Sequence, residues 1–256
     1  MPTGVGVGAS HVFIPYNRAG GGTVIPTDFA NLLIWYDASD PSTLFTDAGK
    51  TAPVVADGDP VYVVENKANP GTYDASQATL GNRFDYRTAV QNGLSIVRGN
   101  GVSKYYNIPG FSSVSSNYTC LIISRQSDTT ETFDIYFDSQ TTRLFFSYPT
   151  TPASTLGYFT VATIVTVPYS NITFFLGTFV LEATNQGRIL ADNVEQANSL
   201  TFAQQALGGN VTLGARNDGA NHWFGGDIGE FVLYNRALTL SEYSQLGNSL
   251  ITKWGI

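Results

Sequence analysis

The chain has 256 residues, of which 43% are hydrophobic and only 13% are charged, and its net charge is −7. This length and composition suit one large β domain with a sizeable core. The acidic balance argues against a phosphate-binding surface, so we expect no nucleic-acid partner. No segment has the length and apolar character of a membrane span, and the first residues lack a secretory signal, so we expect no membrane partner.

Residues 1–27 are rich in Gly, and we interpret them as an extended N-terminal arm. The middle of this arm is apolar and aromatic, and its candidate anchoring residues are His11, Val12, Phe13, Ile14 and Tyr16. We expect them to hold the arm on a neighbouring subunit by strand addition. Residues 28–256 are assigned to a single domain.

Short apolar and aromatic runs follow the arm and alternate with turns rich in Gly, Asn, Asp, Ser and Pro, which indicates an all-β protein. The predicted strands are 27–40, 61–65, 93–98, 104–106, 118–125, 131–137, 143–148, 158–165, 171–182, 187–192, 210–216 and 228–234. Residues 68–87 are predicted to form a polar loop, and residues 200–207 fit either a loop or a helical turn. Antiparallel pairing into two packed sheets is the expected outcome. Cys120 lies in an apolar run, which predicts a buried structural thiol.

A short helix is predicted at the C-terminal end. Thr239 and Glu242 have the spacing of a capping box, and Gly255 is placed to end the helix. The residues recurring at helical spacing are Leu240, Tyr243, Leu246, Leu250, Ile251 and Trp254.

Three stretches resemble a laminin-G-like (concanavalin-A-like) jelly-roll domain. They are LIWYDASD from Leu33 to Asp40, WFGGDIGE from Trp223 to Glu230, and the segment from the YNRAL turn at Tyr234 to KWG at Gly255. The resemblance implies an all-β, two-sheet antiparallel jelly-roll sandwich with a short C-terminal helix. This fold serves lectins, glycosidases, adhesins and virion proteins, so the resemblance alone does not define a function.

A candidate catalytic strand is ETFDIYFD, residues 131–138, in which Asp134, Tyr136 and Asp138 share one face. Two carboxylates on the concave face of a jelly roll could hydrolyse a glycosidic bond. The strand lacks the paired glutamates of family 16 glycoside hydrolases, which have this fold. We therefore expect an ordinary strand with a polar, solvent-facing side, no catalytic residues and a non-enzymatic chain.

Two loop clusters are candidate ligand sites. Asp57, Asp59 and Asp218 offer oxygen ligands of the kind that calcium prefers, and laminin-G-like domains often bind calcium. The same residues are common in turns, and we favour that interpretation, so no cofactor is expected and calcium is the alternative.

The second cluster, Asn221, His222 and Trp223, could contact a glycan, although core packing is favoured for the Trp. The resemblance also assigns structural roles to Asp37 and Asp227, as carboxylates that cap turns or bind backbone amides. A buried carboxylate at either position must be hydrogen-bonded.

The sequence suggests a non-enzymatic virion structural protein of a bacteriophage, either a capsid decoration or cement protein or a head or tail appendage subunit. Such a protein is made in the host cytoplasm and has no signal peptide. The expected partners are a major capsid or tail protein and copies of the chain itself, as a homo-oligomer, with a trimer expected. The alternative is a carbohydrate-binding module or adhesin that recognises host cell-surface glycans, and a glycoside hydrolase ranks third.

Overall fold

The computed structural model describes residues 23–111, 114, 117–127, 134–139, 142–147, 155–160, 164–168, 172–184, 186–201 and 206–256. These residues form two antiparallel sheets and one C-terminal helix, which confirms the predicted sandwich. The anchoring residues predicted in the arm, His11, Val12, Phe13, Ile14 and Tyr16, lie outside the described residues.

The strands are, in chain order, β1 Leu32–Asp37, β2 Leu44–Phe45, β3 Val63–Val64, β4 Ala75–Ser76, β5 Asp85–Gln91, β6 Leu94–Arg98, β7 Tyr106–Ile108, β8 Tyr118–Gln126, β9 Asp134–Ser139, β10 Thr142–Ser147, β11 Thr155–Thr160, β12 Ile164–Pro168, β13 Phe175–Leu181, β14 Gln186–Ala191, β15 Val194–Thr201, β16 Val211–Leu213 and β17 Gly226–Tyr234. Helix α1 is Leu240–Trp254, and short 3₁₀ helices are Pro26–Asp28, Pro41–Thr43 and Leu80–Asn82. The described residues contain no helix with the length and hydrophobicity that a membrane span needs.

The eight-stranded sheet has the order β15-β14-β13-β8-β17-β6-β5, and β1 also pairs with β17. The nine-stranded sheet has the order β12-β11-β10-β9-β16-β7-β4-β3-β2. Consecutive strands β6 and β7 lie in different sheets. The Gly99-Asn100-Gly101 turn between them is therefore a crossover between the sheets and not a hairpin.

Three regions differ from the sequence-based expectation. The prediction of one strand over residues 158–165 is wrong, because residues 158–160 end β11 and residues 164–165 begin the neighbouring strand β12. Leu200 and Thr201, predicted as part of a loop or helical turn, instead end a strand, β15, that was not predicted. This strand lies at the sheet edge and carries Glu195, Gln196 and Asn198 in place of an apolar alternation. The polar region 68–87 contains β4 and the start of β5.

The space between the sheets is filled by a single large cluster of apolar side chains. Phe137 of β9 stacks on Phe231 of β17 across this space, with ring centroids 4.9 Å apart. Cys120 belongs to the same cluster and is fully buried, as predicted, and burial raises the pKa of its thiol. Aromatic contacts of this kind, together with area burial, hold the two sheets face to face.

A second apolar layer covers the outer face of the eight-stranded sheet, where α1 packs. Trp254 of α1 is fully buried and lies against the backbone of Gly229 in β17, so closely that an added Cβ at Gly229 would lie 2.6 Å from the Trp ring. Val24 and Phe29 join this layer, and the amide of Val24 donates to Ser249 Oγ at 3.1 Å. The segment on both sides of residue 28 therefore packs on the domain.

Buried charges fasten α1 to the sheet. Glu230 of β17 accepts hydrogen bonds from Trp35 Nε1 at 2.7 Å, Lys253 Nζ at 2.7 Å and Trp254 Nε1 at 2.9 Å. Lys253 Nζ also lies 3.0 Å from Asp37. Burial, with the nearby Asp37 charge, raises the pKa of Glu230. Burial would also raise the pKa of Asp37, but Lys253, Ser39 and Lys67 together lower it.

Helix α1 begins and ends as predicted. Thr239 Oγ1 accepts from the amide of Glu242, and Glu242 Oε2 accepts from the amide of Thr239 at 2.8 Å, which completes the capping box. Glu242 also binds Arg236 through two hydrogen bonds of 2.8 Å. Gly255 has φ +64°, a left-handed conformation that ends the helix.

We expect Gly229→Ala to lower the free energy of unfolding by about 1–3 kcal/mol, because the new methyl group would overlap the buried Trp254 ring. Urea denaturation of the full chain measures this change. Gly81→Ala is the matched control, since an added Cβ there meets no atom within 4 Å. Equal stability of the two variants would show that Trp254 does not constrain this position.

The contribution of Glu242 to the stability of the fold depends on pH. The hydrogen bonds from Arg236, followed by those from Thr239, lower the pKa of Glu242 to about 2. A carboxyl whose folded pKa is depressed stabilises the protein above its unfolded pKa and loses that contribution as pH falls through the folded value. Glu242→Gln should therefore cost about 1 kcal/mol at pH 7, and the difference from the wild type should disappear between pH 4.5 and pH 2.

Glu182→Gln is the control for this series, because its partner Arg188 is a half-exposed side chain 3.4 Å away and such pairs contribute little. A Glu242→Gln deficit that persists unchanged at pH 2 would contradict an electrostatic origin.

Candidate functional site

The predicted glycan-contact residues Asn221, His222 and Trp223 lie together in the loop between β16 and β17, and all three are half-buried. Trp223 Nε1 donates to the carbonyl of Gly219 at 3.2 Å, and the Tyr105 ring packs on the backbone of Gly219. His222 has φ +55°, and its carbonyl accepts from the amide of Ile135. The hydrogen bond from Ile135 attaches the loop to strand β9 of the nine-stranded sheet. Phe224, the next residue, is the fully buried aromatic of this segment.

The three carboxylates predicted as candidate calcium ligands accept hydrogen bonds from donors within the chain. Asp57 accepts from Arg87 at 3.0 Å and from the amide of Thr88 at 2.9 Å. Asp59 Oδ2 accepts from the amides of Val55 and Ala56 at 2.8 Å. Asp218 Oδ1 accepts from the amide of Ala220 at 3.0 Å. The contact of Asp218 is that of an Asx turn, whereas Asp59 binds amides that precede it and Asp57 binds a distant strand.

Within the described residues, no group of three or more His, Cys, Asp or Glu side chains is arranged to hold a metal ion. Calcium binding stays a prediction.

The prediction that strand β9 has a polar side facing solvent is wrong. Asp134 is 0% and Asp138 is 1% exposed, and Tyr136 between them is fully buried. Gln126 Nε2 donates to Asp134 Oδ2, and the amide of Asn217 donates to Asp138 Oδ2 at 2.9 Å. The 216–223 loop therefore reaches back to this strand and supplies a hydrogen bond to one of the buried carboxylates.

Asp37 binds the backbone amide of Ser39, as expected, whereas the described partners of Asp227 are arginines that the sequence did not indicate. Asp227 is fully buried and accepts from Arg98 Nε at 2.6 Å, and from Arg125 on its other side. Both arginines are cross-strand neighbours of Asp227. Asp37 accepts from Lys67 at 3.1 Å and Lys253 at 3.0 Å. The Asp227 pairs join neighbouring strands, and the Asp37 pairs join β1 to α1 and to the 66–74 loop.

An open cleft, here called the tyrosine cleft, lies at the β2–β3–β4 end of the nine-stranded sheet and has a volume of about 370 Å³. Val63 and Ser76 are a cross-strand pair in it. They alternate with Val64 and Ala75, which face the inter-sheet core, so the cleft opens on the outer face of the sheet. Its lining residues are Ala48, Lys50, Tyr62, Val63, Gly71, Tyr73, Asp74, Ser76 and Pro109.

Lys50 forms ion pairs with two carboxylates at the tyrosine cleft. Lys50 Nζ lies 2.9 Å from Asp74 Oδ2 and 2.5 Å from Glu65 Oε1, and the three side chains are 16–28% exposed. Hydrogen bonds from Lys50 to Glu65 and Asp74 raise the pKa of Lys50, so its ammonium stays charged at neutral pH. Asp74 is fixed further, because its Oδ1 accepts from the amides of Asn66 at 2.9 Å and Gly71 at 3.2 Å.

Asn66 fastens the cleft wall to the eight-stranded sheet. It is fully buried, and its side-chain amide donates to the carbonyls of Leu33 and Thr72 at 2.9 Å. Its Oδ1 accepts from the amide of Trp35 at 2.8 Å. The 66–74 loop is therefore tied to β1 by hydrogen bonds that satisfy a buried amide.

Both tyrosines of the cleft are backed by other side chains. Tyr62 has the guanidinium of Arg83 over its ring, 4.4 Å from the centroid, and Tyr73 packs on Phe111 with centroids 5.2 Å apart. Tyr73 has φ +60° and Lys50 has φ +55°. A non-Gly residue in this region is strained, and such residues cluster at ligand sites. The cleft thus combines two tyrosines that other side chains support with the two ion pairs of Lys50.

Sequence patterns provide little indication of this cleft. Lys50, Tyr62 and Asp74 come from a turn, a short strand and a polar loop, and no periodicity connects them. The adjacent Tyr73 and Asp74 in a Gly-containing loop were the one local signal, because binding residues lie disproportionately on loops.

Solved structures with a similar fold include two that were determined with sugars. Domain 4 of AbnA, a GH43 extracellular arabinanase from Geobacillus stearothermophilus, in complex with arabinotriose, has 16% sequence identity and a TM-score of 0.53, over 86% of this chain and 98% of that chain. Trypanosoma rangeli sialidase in complex with sialic acid has 16% identity and a TM-score of 0.52, over 94% of this chain and 36% of that chain. This chain thus spans about a third of the sialidase. At such identities the similarity shows the fold alone.

No curated protein sequence matches the chain. The profile of the concanavalin A-like lectin/glucanases superfamily matches residues 111–242, which is just over half of the chain. The matched region runs from the crossover before β8 to the first turn of α1 and so includes β17, on which both apolar layers pack. The two-sheet sandwich, the C-terminal helix and this match agree, and the chain belongs to the concanavalin A-like lectin/glucanase superfamily.

Proposed function

We propose that this chain is a non-enzymatic carbohydrate-recognition domain that binds a sugar in the tyrosine cleft. The observation that carries the proposal is the joining of two tyrosine rings and the Lys50–Asp74 pair in one preformed cleft. Tyrosine offers an apolar ring and a hydroxyl, while an ammonium and a carboxylate supply donors and acceptors for sugar hydroxyls. A volume of about 370 Å³ suits a small ligand.

A non-enzymatic role is supported by the burial of the carboxylates that the sequence offered for catalysis. Hydrolysis of a glycosidic bond canonically uses two carboxyl groups that reach the substrate. Asp134 and Asp138 have exposures of 0% and 1% and accept hydrogen bonds from Gln126 and Asn217. They support the strand and its loop in this proposal, and the sugar is bound without being cleaved.

Sugar binding is consistent with what is known of one protein with a similar fold. The arabinanase domain was determined with an arabinotriose bound, and this chain covers 98% of that domain. The likeness supports the fold as a framework for sugar binding and does not place the ligand here. We therefore locate the site from the cleft of this chain.

The setting that we propose is a bacteriophage virion, in which the chain is a capsid decoration or cement protein or a head or tail appendage subunit. Low charge content and the Gly-rich arm support a shell component. In this proposal the chain is made in the host cytoplasm, and residues 1–27 bind a major capsid or tail protein or other copies of the chain. The carbohydrate-recognition domain would then contact host glycans.

Glycan binding by the full chain tests the site. We expect Tyr62→Ala to weaken binding of the best ligand from an array of immobilised oligosaccharides by about 10-fold or more, because a ring that packs on the sugar is lost. Ser76→Trp should do the same by filling the cleft. Trp223→Ala is the comparison, since Trp223 belongs to the other candidate site.

Thermal unfolding of each variant must match the wild type before its affinity is interpreted. A loss with Trp223→Ala and none with Tyr62→Ala or Ser76→Trp would move the site to the 216–223 loop. Binding to no sugar on the array would overturn the proposed function.

The arm is tested by the mass of the protein in solution. We expect the full chain to form an oligomer, a trimer in our proposal, and a chain that lacks residues 1–22 to be a folded monomer. The deletion stops at residue 22 because Val24 packs beside α1. Light scattering gives the masses, and circular dichroism checks the fold. An unchanged oligomer without the arm would exclude the arm as the link between copies, and a full-length monomer would contradict self-association.

A further inference from the structure

The charges of the tyrosine cleft restrict the kind of sugar that fits, provided that the proposed function holds. Lys50 Nζ is hydrogen-bonded to two carboxylates, Glu65 at 2.5 Å and Asp74 at 2.9 Å. One positive charge is therefore matched by two negative charges. Arg83 carries the nearby positive charge, but it lies behind the Tyr62 ring and donates to the carbonyls of Thr46, Gln77 and Ala78.

Lys50 and Asp74 still have hydrogen-bonding capacity for a neutral ligand. An ammonium has three N–H donors, and Glu65 and Asp74 take two of those of Lys50, which leaves one. Asp74 Oδ1 accepts from two backbone amides, whereas Oδ2 accepts only from Lys50 among the contacts described. Lys50 and Asp74 Oδ2 are 2.9 Å apart. One donor and one acceptor at this spacing match two hydroxyl groups on adjacent carbon atoms.

A carboxylate on the sugar would be repelled by the carboxylates around Lys50. Binding it requires a cation whose charge is not already matched, and a like charge placed near Glu65 and Asp74 is repelled. The chain as a whole adds to this repulsion with a net charge of −7.

We propose that the tyrosine cleft selects an uncharged sugar with two neighbouring hydroxyl groups, held by Lys50 and Asp74, and excludes sugars that carry a carboxylate. Tyr62 and Tyr73 contact the apolar side of the ring, and Glu65 sets the selectivity without lining the cleft.

The test compares pairs of oligosaccharides that differ by one acidic residue, such as a neutral glycan and its sialylated form, on the full chain at low ionic strength. We expect the neutral member of each pair to bind at least about 10-fold more tightly. Glu65→Gln removes one negative charge beside Lys50 and should reduce this preference several-fold. Glu182→Gln makes the same change of net charge on the other sheet, next to Arg188, and should leave the preference unchanged.

Each outcome decides the inference. Acidic glycans that bind as well as their neutral partners, with a loss of binding on Tyr62→Ala, would overturn the selectivity and leave the proposed function standing. Equal effects of Glu65→Gln and Glu182→Gln would overturn the role of Glu65. Failure of every glycan to bind would overturn the proposed function and this inference together.

Discussion

Strand β17 is buried along all nine of its residues, between the inter-sheet core and the layer under α1, and it carries two carboxylates. Charges in such a position are stable only when they are paired. Asp227 receives Arg98 and Arg125 from the two neighbouring strands, and Glu230 receives Lys253 from the helix and two indole N–H groups. The need to satisfy these two groups fixes the neighbours of β17 and the end of α1.

The predictable parts of this fold were those whose signals are local in the chain. The capping box at Thr239, the apolar stripe of α1 and Gly255 lie within 17 residues, and each is present in the structure, except that Leu240 of the predicted stripe is exposed. The two-sheet sandwich followed from repeated strand and turn patterns. Alternation along β9 placed Asp134 and Asp138 on one face, but it carried no information on what covers that face. Tyr136 packs on Phe175 of the other sheet, and Asp138 is bound by the amide of Asn217. Both partners come from distant parts of the chain, and so the burial was missed.

The tyrosine cleft could not be predicted from the sequence for a related reason. Two-residue strands such as β3 and β4 are too short to show a period, and their pairing is set by the rest of the sheet. The cleft wall is held by Asn66, whose partners on β1 lie more than thirty residues away. Polar side chains in a loop look alike in sequence, whether they face solvent or satisfy one another around a cleft. The site is therefore a product of tertiary packing and has no motif.

The position at which the chain enters the domain has a consequence for how several copies would act together. Val24 is bound beside Ser249 of α1, on the outer face of the eight-stranded sheet, whereas the cleft opens on the outer face of the other sheet. A tether that reaches the domain at Val24 would therefore attach on the face opposite the clefts and leave them unobstructed. Weak single-site affinity would then be amplified by avidity on a dense glycan layer, with no change at the cleft itself.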